Sequence, residues 1–168
     1  MRGHVGAIRL EGDVLADLYE RNAGDALRLA YLLTGDRSLA EDLLQDAFVR
    51  LAGRLVHVRD PGGFDAYLRR TVVNLTRSHH RRRAIERRYL ERQSGPEPID
   101  PPDISSREAL RRALMALPAR QRTAVVLRYY EDLSEAETAS LMGCRPTAVK
   151  SLVSRATTGL RTTLGDDA

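Results

Sequence analysis

Asn74, Tyr67 and a set of arginines carry the most suggestive chemistry in this chain. From Phe64 the sequence reads FDAYLRRTVVNLTRSHHRRRAIERR. Tyr67, Arg70, Asn74, Arg77 and Arg81 follow one another at intervals of three, four, three and four residues, which keeps them on one strip of a helix. Guanidinium groups pair with phosphate, an amide can read a base edge, and a phenol ring can stack on an unpaired base. Between Arg77 and Arg92, seven arginines face only Glu86 and Glu91, a local charge of +5. A solvated charged face would use the same residue types. The aromatic and the amide beside this charge favour nucleic acid.

Other chemistry suggested by this stretch is weaker. His79 and His80 are neighbours, so on a helix they point about 100° apart, poor geometry for sharing a metal. No cysteine or acidic cluster lies near them to complete a site. Asn74-Leu75-Thr76 has the form of a glycan acceptor, but the chain shows no secretory signal that would deliver it for glycosylation.

A second constellation lies near the C-terminus, in SEAETASLMGCRPTAVKSLVSRATTGLR from Ser134. A short helix would stop at Gly143, and Pro146 suits the first turn of the next. Val149, Leu152, Val153, Ala156 and Leu160 form an apolar stripe on that second helix. Its opposite face holds Thr147, Lys150, Ser151, Ser154, Arg155, Thr158 and Arg161, all cations or hydroxyls. No acid occurs between Glu137 and Asp166. An amphipathic helix in a bundle could share the stripe. The short helix, glycine turn and acid-free face together match a helix-turn-helix that presents Arg145, Thr147, Lys150 and Ser151 to base edges. Cys144, beside the turn, reads as a small packed residue.

The elements that must position these residues are helical throughout, and no alternating strand pattern is visible. The N-terminal block reads as helices over about 13–34, 38–55 and from 63 into the basic run. The C-terminal block reads as helices near 106–116, 119–130, 134–142 and 146–163. Ser38 with Glu41, Ser105 with Glu108 and Ser134 with Glu137 have the spacing of capping boxes. In the second helix Ala40, Leu43, Leu44, Ala47, Phe48 and Leu51 share one face, and Asp42, Gln45, Asp46 and Val49 lie opposite. The pattern alone fits either a solvated acidic face or a docking face for a basic partner. In the third helix Phe64, Leu68, Val72 and Leu75 form the buried stripe. SGPEPIDPPDISS, residues 94–106, has four prolines and reads as an interdomain linker.

Composition narrows the function classes. The chain has 168 residues, a net charge of +4 and one cysteine, which excludes an internal disulfide and a cysteine-cluster zinc site. No run approaches the roughly 20 apolar residues of a membrane span, so a cytoplasmic protein is expected. There is no P-loop, His-Glu-x-x-His, nucleophile elbow or glycine-rich dinucleotide loop. Neither an enzyme nor a cofactor is expected.

AYLLTGDRSLAEDLLQDAFVRL, VRDPGGFDAYLRRTVVNLTRSHHRRR and LPARQRTAVVLRYYEDLSEAETASLMGCRPTAVKSLVSRA occur in the order found in one family. On these stretches the chain resembles the extracytoplasmic function sigma factors, the minimal sigma-70 subunits of bacterial RNA polymerase, and most of all their actinobacterial type. The resemblance implies an all-α protein of two small domains. Region 2, a three-helix bundle, would take 1–93, the linker 94–106, and region 4 with its helix-turn-helix 107–168. It implies that Asp42, Gln45, Asp46 and Val49 bind the polymerase clamp helices. It also implies that Phe64, Tyr67, Arg70, Asn74, Arg77, Arg81, Arg82 and Arg83 engage the promoter −10 element. There the loop from His57 to Phe64 would cradle a flipped base near Asn74, and the basic run would hold the backbone. Arg145, Pro146, Thr147, Lys150, Ser151 and Arg155 would read the −35 element, and region 4 would bind the polymerase flap. An anti-sigma partner is further implied. Two departures stand out: His79 and His80 replace a tryptophan pair frequent in close relatives, and Leu152 stands where many carry arginine. The nearest rival, a two-component output regulator, shares a similar C-terminal unit but would need a sensing domain with strands.

Overall fold

A computed structural model describes residues 4–53, 63–90 and 106–165. Within them lie α1 (His4–Thr34), α2 (Arg37–Ala52), α3 (Phe64–Leu90), α4 (Ser106–Ala116), α5 (Ala119–Val125), α6 (Glu135–Met142) and α7 (Pro146–Leu164), and a π-helical turn, Val126–Tyr130, continues α5. The described residues contain no strand. The expected loop from His57 and linker 94–106 lie outside them, except for Gly63, Phe64 and Ser106. Ser105 and its expected cap lie outside them too.

Tertiary contacts group the chain into two units, Met1–Tyr31 with Asp36–Val72, and Leu32–Gly35 with Val73–Ala168. α3 therefore contributes its first part to one and the remainder to the other. In the first unit the apolar stripe of α2 is buried residue for residue as its spacing requires: Ala40, Leu43, Leu44, Ala47, Phe48 and Leu51. It meets Leu18, Leu29 and Ala30 of α1 and Phe64, Leu68 and Val72 of α3 in the buried set. Phe48 is the hub. Its ring lies 4.7 Å from Tyr19, edge-on, and 5.6 Å from Phe64, at centroid distances suited to aromatic pairs.

The start of α2 differs from the expected cap. Asp36, not Ser38, is the N-cap, and its side chain accepts the Leu39 amide at 3.1 Å. The glutamate that Ser38 would need, Glu41, instead accepts from Arg37 one helical turn away at 3.0 Å. At α6 the expected capping box is complete: Glu137 N–H donates to Ser134 Oγ at 3.1 Å, and Ser134 N–H donates to Glu137 Oε2 at 2.7 Å.

In the second unit α7 packs on α4, α5 and α6. Val149 and Ala156 of its stripe are fully buried, while Leu152, Val153 and Leu160 are half-buried. Leu114, Leu117, Val125, Leu127 and Met142 complete this core. Gly35, in the left-handed region at φ 70°, ends α1. Its carbonyl accepts from Arg111 of α4 at 3.2 Å.

Candidate nucleic-acid interface

The strip on α3 is positioned by the stripe behind it. Leu68 and Val72 are sealed in the core, which keeps the helix from rotating and holds the strip on its accessible side. Tyr67, Arg70, Asn74, Arg77 and Arg81 are all exposed, and Arg82 and Arg83 continue the exposed basic surface. Tyr67, at 54% exposure, leaves most of its ring accessible for stacking. Phe64 corrects the expected set. It is 1% exposed and packed against Phe48, so its ring cannot meet a base. Its size and aromaticity serve the core that holds the start of α3.

The helix-turn-helix has the expected geometry. Gly143 closes α6 in the left-handed conformation at φ 62° and ψ 43°, where a Cβ would be strained. The Cys144 amide donates back to the Ala139 carbonyl at 3.0 Å. Its side chain is half-buried. Arg145 is the N-cap of α7 and makes no side-chain capping bond, and Pro146 occupies the first turn. Arg145, Pro146, Thr147, Lys150, Ser151, Ser154, Arg155, Thr158 and Arg161 are exposed. The face opposite the buried Val149 and Ala156 is therefore open and free of carboxylates, which would repel phosphate.

The outer face of α2 is just as open. Asp42, Gln45, Asp46 and Val49 are exposed, with Val49 at 72%. An accessible aliphatic side chain beside two carboxylates is a surface suited to a basic protein partner rather than to nucleic acid.

Two residues of the second unit have packing roles that no local pattern predicts. Arg122 of α5 is 7% exposed, and its Nε has no hydrogen-bond partner. One guanidinium nitrogen reaches only the Met115 thioether, at 2.6 Å, a weak acceptor. Burial, and then the charge of Arg87, weakens its hold on its proton. His80 of α3 donates from Nε2 to the Leu33 carbonyl at 3.2 Å. Burial and the Arg122 charge lower its pKa below the usual 6.5, outweighing the stabilising bond to Leu33. His80 thus tethers the end of α1, a contact 47 residues apart in the chain that no local pattern encodes. The two histidine rings stand edge to face, 6.0 Å apart. Among the described residues no cluster of histidine, cysteine and acid could hold a metal.

A cavity of about 510 Å³ also lies in this unit. Asn74, Arg77, Ser78, His80 and Arg81 of α3 form one wall. Ala119, Arg120 and Thr123 of α5, with Met142 of α6, form the other.

Comparison with known proteins identifies the family. Residues 18–85 match the family model of sigma-70 region 2, and residues 107–157 match that of sigma-70 region 4. The chain is similar to the RNA polymerase sigma-E factor of Streptomyces coelicolor, 39% identical over 156 residues that span 89% of this chain and 86% of the relative. It is also similar to the ECF RNA polymerase sigma factor SigM of Mycobacterium tuberculosis, with 31% identity over 95% of this chain and 82% of the relative. Among solved structures, the sigma factor RpoE of Bartonella quintana, in complex with the anti-sigma factor NepR, matches with a TM-score of 0.66. That match has 25% identity and covers 92% of this chain and 94% of that one. Both region models occur in order, and the two relatives align over more than four fifths of their length. The chain belongs to the sigma-70 family of RNA polymerase sigma factors, in its extracytoplasmic function group.

Proposed function

We propose that this sigma factor is a non-catalytic, cytoplasmic specificity subunit with three separate working faces. Asp42, Gln45, Asp46 and Val49 on α2 dock on the clamp helices of core polymerase. Tyr67, Arg70, Asn74, Arg77, Arg81, Arg82 and Arg83 engage the −10 element, with Asn74 contributing base recognition and the arginines gripping backbone. Arg145, Pro146, Thr147, Lys150, Ser151 and Arg155 read the −35 element. Residues 1–93 form region 2, residues 107–168 form region 4, and 94–106 link them. The similarity to a sigma factor solved with an anti-sigma factor supports control by a protein of that class.

The exposed, carboxylate-free face of α7, set behind a left-handed glycine turn, carries this reading. Cations position a helix on phosphate, and the side chains of its first turns reach base edges in the major groove. Strand opening at the −10 element costs a few kcal/mol per unstacked base, and holding the extruded base repays part of that cost. Transcription of genomic fragments with purified core polymerase tests the proposal. Discrete start sites preceded by a shared pair of elements should appear only when both core and this chain are present. Binding to duplex operators without core, and no polymerase-dependent transcripts, would place the chain with the regulators instead.

A further inference from the structure

The geometry points to a binding site for a small diphosphate-bearing ligand in the cavity between α3 and the α5–α6 wall. Three guanidiniums, Arg77, Arg81 and Arg120, line it, and no carboxylate does. None of the three is ion-paired among the described residues. Like charges gathered at one concavity repel one another, and an anion in their midst removes that repulsion. The buried Arg122, with its unpartnered Nε, adds positive potential close enough to act on His80 in the cavity wall.

The other lining groups specify more than charge. The Asn74 amide is both donor and acceptor, and Met142 and Ala119 supply apolar surface. Thr123 already donates its hydroxyl proton to the Ala119 carbonyl at 2.9 Å, so its oxygen is left as an acceptor. A volume of about 510 Å³ falls in the range of small-molecule sites, roughly 300–1,000 Å³. Phosphoryl groups meet the guanidiniums through charge-assisted bonds. The shared chemistry is a diphosphate, carried either by a nucleoside or as inorganic pyrophosphate. On the functional reading above, Asn74, Arg77 and Arg81 also serve the −10 element, so an occupant would compete with promoter DNA for them.

Titration calorimetry and thermal shift of the full chain with GDP, ADP and pyrophosphate at physiological salt test the site. At least one probe should bind saturably at submillimolar concentration and raise the melting temperature. Arg120→Ala and Thr123→Val lie outside the proposed promoter and polymerase faces. Arg120→Ala should weaken binding at least tenfold, whereas Thr123→Val, which removes an acceptor that only a nucleoside's donors can use, should weaken GDP or ADP binding less and leave pyrophosphate binding unchanged. Tighter binding of GDP or ADP than of pyrophosphate identifies a nucleoside carrier; equal binding identifies the diphosphate alone. No saturable binding of any probe up to millimolar concentration, or binding indifferent to Arg120→Ala, overturns the site. Core-dependent transcription by the wild-type chain without ligand is measured alongside. Intact transcription with absent binding removes the pocket and leaves the sigma reading standing.

Discussion

At the scale of single residues, neighbours on one helix divide sharply between packing and exposure. Phe64 and Tyr67 are three positions apart, yet one is 1% exposed and the other 54%. Phe64→Ala should destabilise the chain by about 3–5 kcal/mol, the usual loss for a truncated core phenylalanine. Tyr67→Ala should leave the denaturation midpoint nearly unchanged and slow open-complex formation. Equal midpoints for the two variants would sink this division. His80 allows a second prediction, through pH. Its folded pKa is depressed, first by burial and then by Arg122, with His79 and Arg87 adding to the effect. Well above pH 6.5 the ring is neutral both folded and unfolded. As pH falls below that value the unfolded chain takes up the proton first, so stability declines until the folded pKa is passed. Urea midpoints should therefore drop as the pH is lowered from about 7 through the ordinary histidine pKa. His80→Gln keeps a donor for the Leu33 carbonyl and should flatten that drop. Identical slopes would remove His80 from the account. The sequence showed the histidine pair but not this role, because the partner carbonyl belongs to a distant helix.

At the scale of elements, most of the fold was legible because each helix carries its own punctuation. The α2 stripe, the Ser134 box, Gly143 and Pro146 are local signals, and the structure follows them. The errors fall where two local signals compete or where none exists. Asp36 and Ser38 are both good caps, and Ser38 has the right glutamate three residues on. Arg37 ties up Glu41 on the surface, and Asp36 reaches the Leu39 amide. Asp36→Ala should accordingly cost about 1 kcal/mol, and Ser38→Ala only a few tenths. Chemical denaturation of both variants checks this, and the reverse order would restore the Ser38 cap. The π-helical turn at Val126–Tyr130 left no sequence mark at all. It replaces regular bonds with Glu131 N–H to Val126 O at 3.2 Å, and leads through Asp132, at φ 51°, to the cap of α6. Such i→i+5 turns are rare and appear mostly as single-turn bulges in α-helices, so no common local pattern marks them.

At the scale of the whole molecule, charge is unevenly placed, which the net value of +4 conceals. Carboxylates occupy the outer face of α2, and the outer face of α7 has none. Asn74 stands between arginines on α3. Spacing alone does not separate a solvated acidic face from a docking face, since both present the same residues. Substitutions on the separate faces should therefore produce separable defects. Asp46→Arg reverses a charge at the proposed clamp contact and should weaken core binding while leaving the melting temperature of the free chain intact, because Asp46 is exposed. Lys150→Ala with Arg155→Ala should leave core binding unchanged and weaken promoter binding by the holoenzyme. Each lost phosphate contact should also lower the salt dependence of that binding, by about 0.9 in the slope of log K against log salt. A base contact would cost affinity without changing the slope, so the slope distinguishes backbone grip from base reading at these two positions. Fluorescence anisotropy with labelled promoter across a salt series measures both quantities. If the double variant lost core affinity, or Asp46→Arg bound core normally, the assignment of clamp docking to α2 and promoter reading to α7 would fail.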